Sequence, residues 1–214
     1  MDDNASMLIV AAGVVTAYLM GSVSSAIVVS RLRGLADPRS YGSGNPGATN
    51  MLRSGDKIAA AITLLGDAAK GLLAVALLPM VFQLDAPLFL ASVALAVFVG
   101  HLFPVFFGFR GGKGVATALG VLLGLSAEVG LACLLCWMLV FGISRISSLS
   151  ALVAASAAPL MWWVFHGFDE VFVAVLAMTV LLLWRHASNI RALLRGSEKG
   201  FQAGKPSEDK SQRG

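Results

Sequence analysis

Between Met7 and Trp184 the chain is a near-continuous succession of apolar runs, and few folds are open to such a sequence. The runs extend from about Met7 to Ser30, Lys57 to Phe82, Pro87 to Phe103, Val115 to Ile143, Leu149 to Val164 and Val171 to Trp184. Most have the length and apolarity to cross the hydrocarbon core of a bilayer, where backbone N–H and C=O groups must satisfy one another within the segment. The expected class is therefore all-α, a polytopic membrane helix bundle. Composition agrees: 57% of residues are hydrophobic and 13% charged, against about 45–50% and 25% in soluble domains. The opening Met1-Asp2-Asp3 lacks the positive start of a secretory signal, so the first run reads as a retained helix. The stretch from Val115 to Ile143 is too long for one ordinary span. It reads as two short helices turning at Gly124-Leu125-Ser126-Ala127-Glu128, the alternative being one long tilted helix. That gives seven spans over residues 1–195, a single domain, followed by a polar tail over 196–214 with no apolar periodicity, expected to be disordered.

The charges sort by side. With seven spans, one face holds Arg31, Arg33, Arg39, Arg53, Lys57, Arg110, Lys113, Arg145, Arg185, Arg191 and Arg195. The other holds Asp2, Asp3, Asp85, Glu128, Asp169 and Glu170, with no Lys or Arg. Positive loops stay in the cytoplasm, so the N-terminus is expected outside and the C-terminus inside. Lys70, one helical turn from Asp67 within a span, is the exception; the two can pair, as a structural ion pair or as part of a site. Cys133 and Cys136 lie in an apolar run without further ligands and read as inert buried thiols.

Two joints on the basic face stand out. Tyr41 to Arg53 offers Gly42, Gly44 and Gly47 with Ser43, Asn45, Thr49, Asn50 and Arg53. Phe109 to Thr117 offers Arg110, Gly111, Gly112, Lys113, Gly114 and Thr117. Glycine-rich turns expose consecutive N–H groups that cradle anions, and a cation beside them adds charge. Lys113 and Thr117 would open a helix, whose first turn also favours an anion. The competing reading is a pair of flexible interhelical turns. Arg145 with Ser148, and His186 with Asn189, supply two further polar joints. Together they suggest a site for phosphorylated substrates at the cytoplasmic ends of membrane helices.

Several chemistries are argued against. No nucleotide-binding Gly-x-x-x-x-Gly-Lys-[Ser/Thr] occurs, since Gly114 follows Lys113. No cytoplasmic carboxylate cluster offers to hold Mg²⁺, so neither a metal nor another cofactor is expected. No His-x-x-x-x-Asp follows His101, His166 or His186, and no Ser-His-Asp grouping suggests a triad. His101 can bind substrate or cap its helix, and Phe103, Phe106, Phe107 and Phe109 can line an apolar slot or anchor helix ends at the interface.

The blocks Gly42-Ser43-Gly44-Asn45-Pro46-Gly47-Ala48-Thr49-Asn50, Gly100-His101-Leu102-Phe103-Pro104-Val105-Phe106 with Arg110 to Thr117, and His186-Ala187-Ser188-Asn189-Ile190 with Gly196-Ser197-Glu198 resemble the signatures of the bacterial acyl-phosphate:glycerol-3-phosphate acyltransferases. The resemblance runs from the first span to about Glu198. It departs at Ala187-Ser188, where the family commonly reads Arg-Glu, so no role transfers to that pair. It implies a seven-helix inner-membrane enzyme that moves an acyl group from acyl phosphate to the 1-hydroxyl of glycerol 3-phosphate. The products would be lysophosphatidic acid and inorganic phosphate, in the first acylation of bacterial phospholipid synthesis.

On that reading Arg53 and Lys113 bind phosphate, and Ser43, Asn45 and Thr49 hold the donor phosphate or the glycerol hydroxyls. His186 and Asn189 orient glycerol 3-phosphate. Catalytic contact is expected from His186, Asn189, Ser43 and Lys113. The proton acceptor is either His186 or a substrate phosphate. The expected partners are the two substrates and the lipid bilayer, with no nucleic acid; oligomeric state is open. The rival class is a transporter for a phosphorylated metabolite, which also turns helix ends toward anions. The two glycine-rich joints do not match as repeats, and both open to one side.

Overall fold

The computed structural model describes residues 3–198 and Gly200, all helix, turn or coil. Met1, Asp2, Lys199 and residues 201–214, which include most of the polar tail, lie outside the described residues. The helices are α1 (Asp3–Gly21), α2 (Ser25–Leu32), α3 (Ala48–Met51), α4 (Lys57–Phe82), α5 (Pro87–Leu102), α6 (Val115–Leu125), α7 (Ala127–Ser144), α8 (Ser147–His166), α9 (Glu170–Arg185) and α10 (Ala187–Leu194). Four of them, α4, α5, α7 and α8, are long and apolar enough to cross a membrane; the count rises to six if the bent pairs α1–α2 and α9–α10 each form one span. The chain is a multi-pass membrane protein.

The first span differs from the single helix expected over Met7 to Ser30. It breaks at Ser22-Val23-Ser24 and bends by 46°. Ser22 Oγ donates back to the Tyr18 carbonyl at 2.9 Å, a local bond that competes with the helical ladder. A break inside the bundle frees backbone carbonyls that lipid cannot satisfy. Lys70 on α4 satisfies one of them, its ammonium donating to Val23 O at 2.7 Å. The second break, 60° between α9 and α10, falls at His186.

Elsewhere local chemistry sets the ends where the sequence suggests. Asp56 caps α4 by accepting from Ala59 N–H at 2.8 Å, Ser126 caps α7 from Val129 N–H, and Asp169 caps α9 from Phe172 N–H at 2.6 Å. Such caps satisfy the orphan donors of a first turn. The turn at Ser126 separates α6 from α7 as expected, and Glu128 lies within electrostatic reach of His166 at the far end of α8.

Small residues bring the central helices close. α4 lies along α6, α1 along α5, and α9 beside both α5 and α8. A Cβ on Gly120 would fall 1.9 Å from Ala68 O, and one on Gly21 would fall 2.0 Å from Val97 O, so both crossings require glycine. The core runs through Val93, Val97, Phe98, Leu102 and Val121. Thr117, in the first turns of α6, is fully buried against Gly71 of α4. This tight α4–α6–α5 contact sets the height of the glycine-rich loop that joins α5 to α6.

Candidate active site

The joint from α2 to α4 is organised by one side chain. Asn50 is buried, and its amide NH₂ donates to Pro38 O at 2.7 Å and Tyr41 O at 3.2 Å. Its Oδ1 accepts from Ser43 N–H at 2.9 Å, Ser43 Oγ at 3.2 Å and Arg53 Nη1 at 3.3 Å. Every capacity of the amide is thereby used within the loop. Asn50, expected to touch substrate, here spends these bonds on the joint itself and holds Ser43 and Arg53. Gly42 has φ of +59°, and a Cβ there would fall 2.2 Å from Asn50 Oδ1; both observations require glycine. Ser43, Gly44, Thr49 and Arg53 stand exposed, and Asn45 is half-buried. Thr49 Oγ1 lies 3.3 Å from Ser147 Oγ, which links this joint to the start of α8.

The second joint lies alongside. Gly111, Gly112 and Gly114 are buried and Lys113 is half-buried. Gly114 precedes α6 with φ of +87°. Gly112 N–H donates to His101 O at 3.2 Å. The guanidinium of Arg185 forks onto both carbonyls, Nε to Gly112 O at 3.2 Å and Nη2 to Gly111 O at 2.9 Å. Lys113 Nζ donates to Asn189 Oδ1. Asn189 Nδ2 donates to Glu198 Oε1 at 2.7 Å, and Ser148 Oγ donates to the same oxygen. So Lys113, Ser148 and Asn189 meet in one network with Ser43 and Arg53 beside it, and the charges of Arg53, Arg185 and Glu198 all bear on Lys113.

Electrostatics separate these groups. Burial pushes Lys113 below the usual lysine range; Glu198 opposes that shift, while Arg185 and Arg53 add to it. Neither Arg53 nor Lys113 makes an ion pair with a carboxylate among the described residues, unlike Arg33 with Asp56 and Arg39 with Asp37. His186 lies just beyond the end of α9 and is 3% exposed. Its Nδ1 lies 2.9 Å from Leu182 O, and burial pushes its pKa down to about 4. Such an imidazole is neutral near pH 7 and a weak base.

Two expected site residues, Thr117 and Arg145, fall elsewhere. Thr117 faces the α4–α6 contact. Arg145 ends α7 in a left-handed conformation, exposed, with no described contact from its side chain to this network. Arg110 is exposed and lines, with Gly44, Pro46, Gly111 and Arg185, a cleft of about 270 Å³ that lies between the two glycine-rich joints.

A family model described as glycerol-3-phosphate acyltransferase matches residues 11–196. The chain belongs to that family. Among the acyltransferase's relatives, the glycerol-3-phosphate acyltransferase of Thioalkalivibrio sulfidiphilus is 59% identical over 192 residues, covering 90% of this chain and 94% of the relative. That of Neisseria gonorrhoeae is 56% identical over 188 residues, covering 86% and 94%. A solved structure of PlsY, an integral membrane glycerol 3-phosphate acyltransferase, in its glycerol 3-phosphate form superposes with a TM-score of 0.84. The two are 37% identical, with 90% of this chain and 96% of that one covered. Its lysophosphatidic acid form gives 0.83 at 36% identity, with 91% and 96% covered.

Two residues of this side-chain network, Arg185 and Glu198, were not singled out from sequence. Arg185 was counted only among the cytoplasmic charges, and Glu198 only within a motif. Their partners lie 73 and 74 residues away for Arg185 and 50 for Glu198 with Ser148. The signal for Arg185 was its position at the end of a span, immediately before His186.

Proposed function

We propose that this acyltransferase takes its acyl group from acyl phosphate and transfers it to the sn-1 hydroxyl of glycerol 3-phosphate at the cytoplasmic face of a bacterial inner membrane. The observation that carries the reading is the convergence of Arg53 and Lys113, two cations whose hydrogen bonds among the described residues go to neutral amides, beside Ser43, Ser148 and Asn189. Two phosphate-bearing molecules repel each other, and cations fixed in advance offset that repulsion most strongly as charge gathers on the departing phosphate. The hydroxyl oxygen bonds to the acyl carbon, the bond from that carbon to the phosphate oxygen breaks, and inorganic phosphate leaves. The hydroxyl proton passes to a substrate phosphate. His186, neutral and tied by Nδ1 to its own helix, orients glycerol 3-phosphate with Asn189. Acyl phosphate is already activated, so no covalent enzyme intermediate is required.

The donor follows from the size of the cytoplasmic joints. Coenzyme A would bring a nucleotide and a long arm, and these joints are short. The membrane arrangement belongs to the same proposal: seven crossings with the N-terminus outside, formed by α1–α2, α4, α5, α6, α7, α8 and α9. At 11 residues, α6 is about 16 Å long, roughly half the hydrocarbon thickness. It works as a short crossing because it is sheltered between α4, α5 and α7. Supplying labelled glycerol 3-phosphate with acyl phosphate, acyl-CoA or acyl carrier protein donors in turn tests the chemistry. Equal amounts of lysophosphatidic acid and free phosphate from acyl phosphate alone are expected. Efficient use of acyl-CoA would overturn the donor, and uptake of phosphate esters into proteoliposomes without acylation would favour a transporter.

A further inference from the structure

Under the Gly111–Lys113 loop, within the bundle, lies an ionisable cluster that the proposed reaction does not use. Asp67 and Lys70 on α4 and His101 on α5 are each less than a tenth exposed. Lys70 Nζ lies 3.0 Å from Asp67 Oδ1, and that oxygen lies 3.7 Å from His101 Nδ1. At one end, Lys70 holds Val23 O in the break between α1 and α2. At the other, His101 O accepts Gly112 N–H, and the imidazole fills the space where a Gly112 side chain would go: a Cβ there would fall 2.2 Å from Nε2.

We infer that Asp67, Lys70 and His101 are positioning residues that prop the Gly111–Lys113 loop from below. Burying three such groups is expensive, and apolar residues of similar volume would usually hold the helices together as well or better. What apolar residues would not supply is a chain of polar and charge contacts from the α1–α2 break to the glycine loop. Lys70 ties Asp67 to the α1–α2 break, Asp67 faces the imidazole as a charge 3.7 Å away, and the imidazole fills the space beneath Gly112. Arg185 clamps the carbonyls of the same two glycines from the other side. The backbone leading into Lys113 is therefore held on both sides, and Lys113 reaches Asn189 from a fixed origin. The inference rests on the reading of this loop as a phosphate cradle.

The test is a double-mutant cycle on the full chain, with KM for both substrates and the thermal midpoint measured for each variant. Gly112→Ala drives a methyl into the imidazole and lowers kcat/KM. His101→Ala removes the prop and is expected to lower kcat/KM at least tenfold, since about 1 Å of misplacement can cost about a hundredfold. The double variant gives the new methyl the vacated space, so it should be no worse than the poorer single variant. The neutral pair Asp67→Asn with Lys70→Met keeps His101 and leaves no unpaired charge, and it should raise KM for at least one phosphate substrate several-fold. It carries the test alone if His101→Ala does not fold.

Strictly additive losses would overturn the inference. So would rates within twofold of the parent, or a lower rate at unchanged KM, which signals only less folded enzyme. Unchanged KM and rate in both Gly112→Ala and Lys113→Met would instead refute the cradle itself.

Discussion

Replacing Lys113 by Met tests the charge at the centre of the site while keeping a long apolar stem. Lys113 is half-buried, and its described hydrogen-bond partner is the neutral Oδ1 of Asn189. Removing the ammonium leaves Glu198 with its bonds from Asn189 and Ser148, so no carboxylate is stranded and the thermal midpoint should barely move. The cost falls on substrate. Two unit charges about 4 Å apart at an effective dielectric near 20 interact by about 4 kcal/mol, within the range of about 2–5 kcal/mol for truncating one partner of a buried charge pair. At about 1.4 kcal/mol per tenfold, kcat/KM should fall by about thirtyfold to a few thousandfold. The assay is initial-rate kinetics of the purified variant with both substrates varied. Because burial lowers the lysine's pKa, the parent should lose kcat/KM as pH rises toward a midpoint below the usual lysine range, and Lys113→Met should lack that limb. A variant within threefold of the parent and still showing the alkaline limb would refute the reasoning.

Other outcomes follow from the same geometry. His186, neutral down to about pH 4, should show no titration between about pH 5 and 8 in ¹⁵N-histidine spectra of the parent; a midpoint near its ordinary 6.5 would mean that burial does not govern it. Extensive chelation should leave the rate nearly unchanged, whereas a loss restored by Mg²⁺ would mean that a metal takes part. In a background lacking Cys133 and Cys136, Asp85→Cys and Asp169→Cys should react with an impermeant thiol reagent on intact cells, and Ser40→Cys and Ser197→Cys should not. Labelling of the second pair alone would invert the orientation.

Most helix limits were legible because they depend on local chemistry. α4 begins at Lys57 behind its Asp56 cap and ends at Phe82, as the apolar run suggests, and the α6–α7 turn follows from Ser126 acting as a cap. The break at Ser22–Ser24 was not legible, because hydropathy continues through it; what stabilises it is Lys70, 47 residues away. The glycine-rich joints were legible as places where an anion could sit. The internal use of Asn50 was not, since an asparagine that binds ligand and one that folds a loop look alike in sequence. The same holds for His101 and Arg185, whose roles come from distant backbone groups brought near by the α4–α6 and α5–α9 contacts.

Arg185 does more than clamp two glycines. Its guanidinium lies 6.0 Å from the Phe103 ring centre and 5.9 Å from that of Trp184, and Trp184 is largely exposed. Aromatic rings of this kind settle at the headgroup level of a leaflet. On the proposed orientation the glycine loop is moored to the surface of the nearer leaflet, and its depth would not depend on how the helices span the opposite one. A donor with a single phosphate head and an acyl tail would meet Lys113 at the depth where it already floats, without being lifted from the membrane. Thicker or thinner bilayers would tilt the helices while the loop rode with the interface. Turnover in proteoliposomes should therefore vary by less than about twofold across lipids of different chain length, and a steep optimum at one thickness would show that the site is hung from the bundle instead.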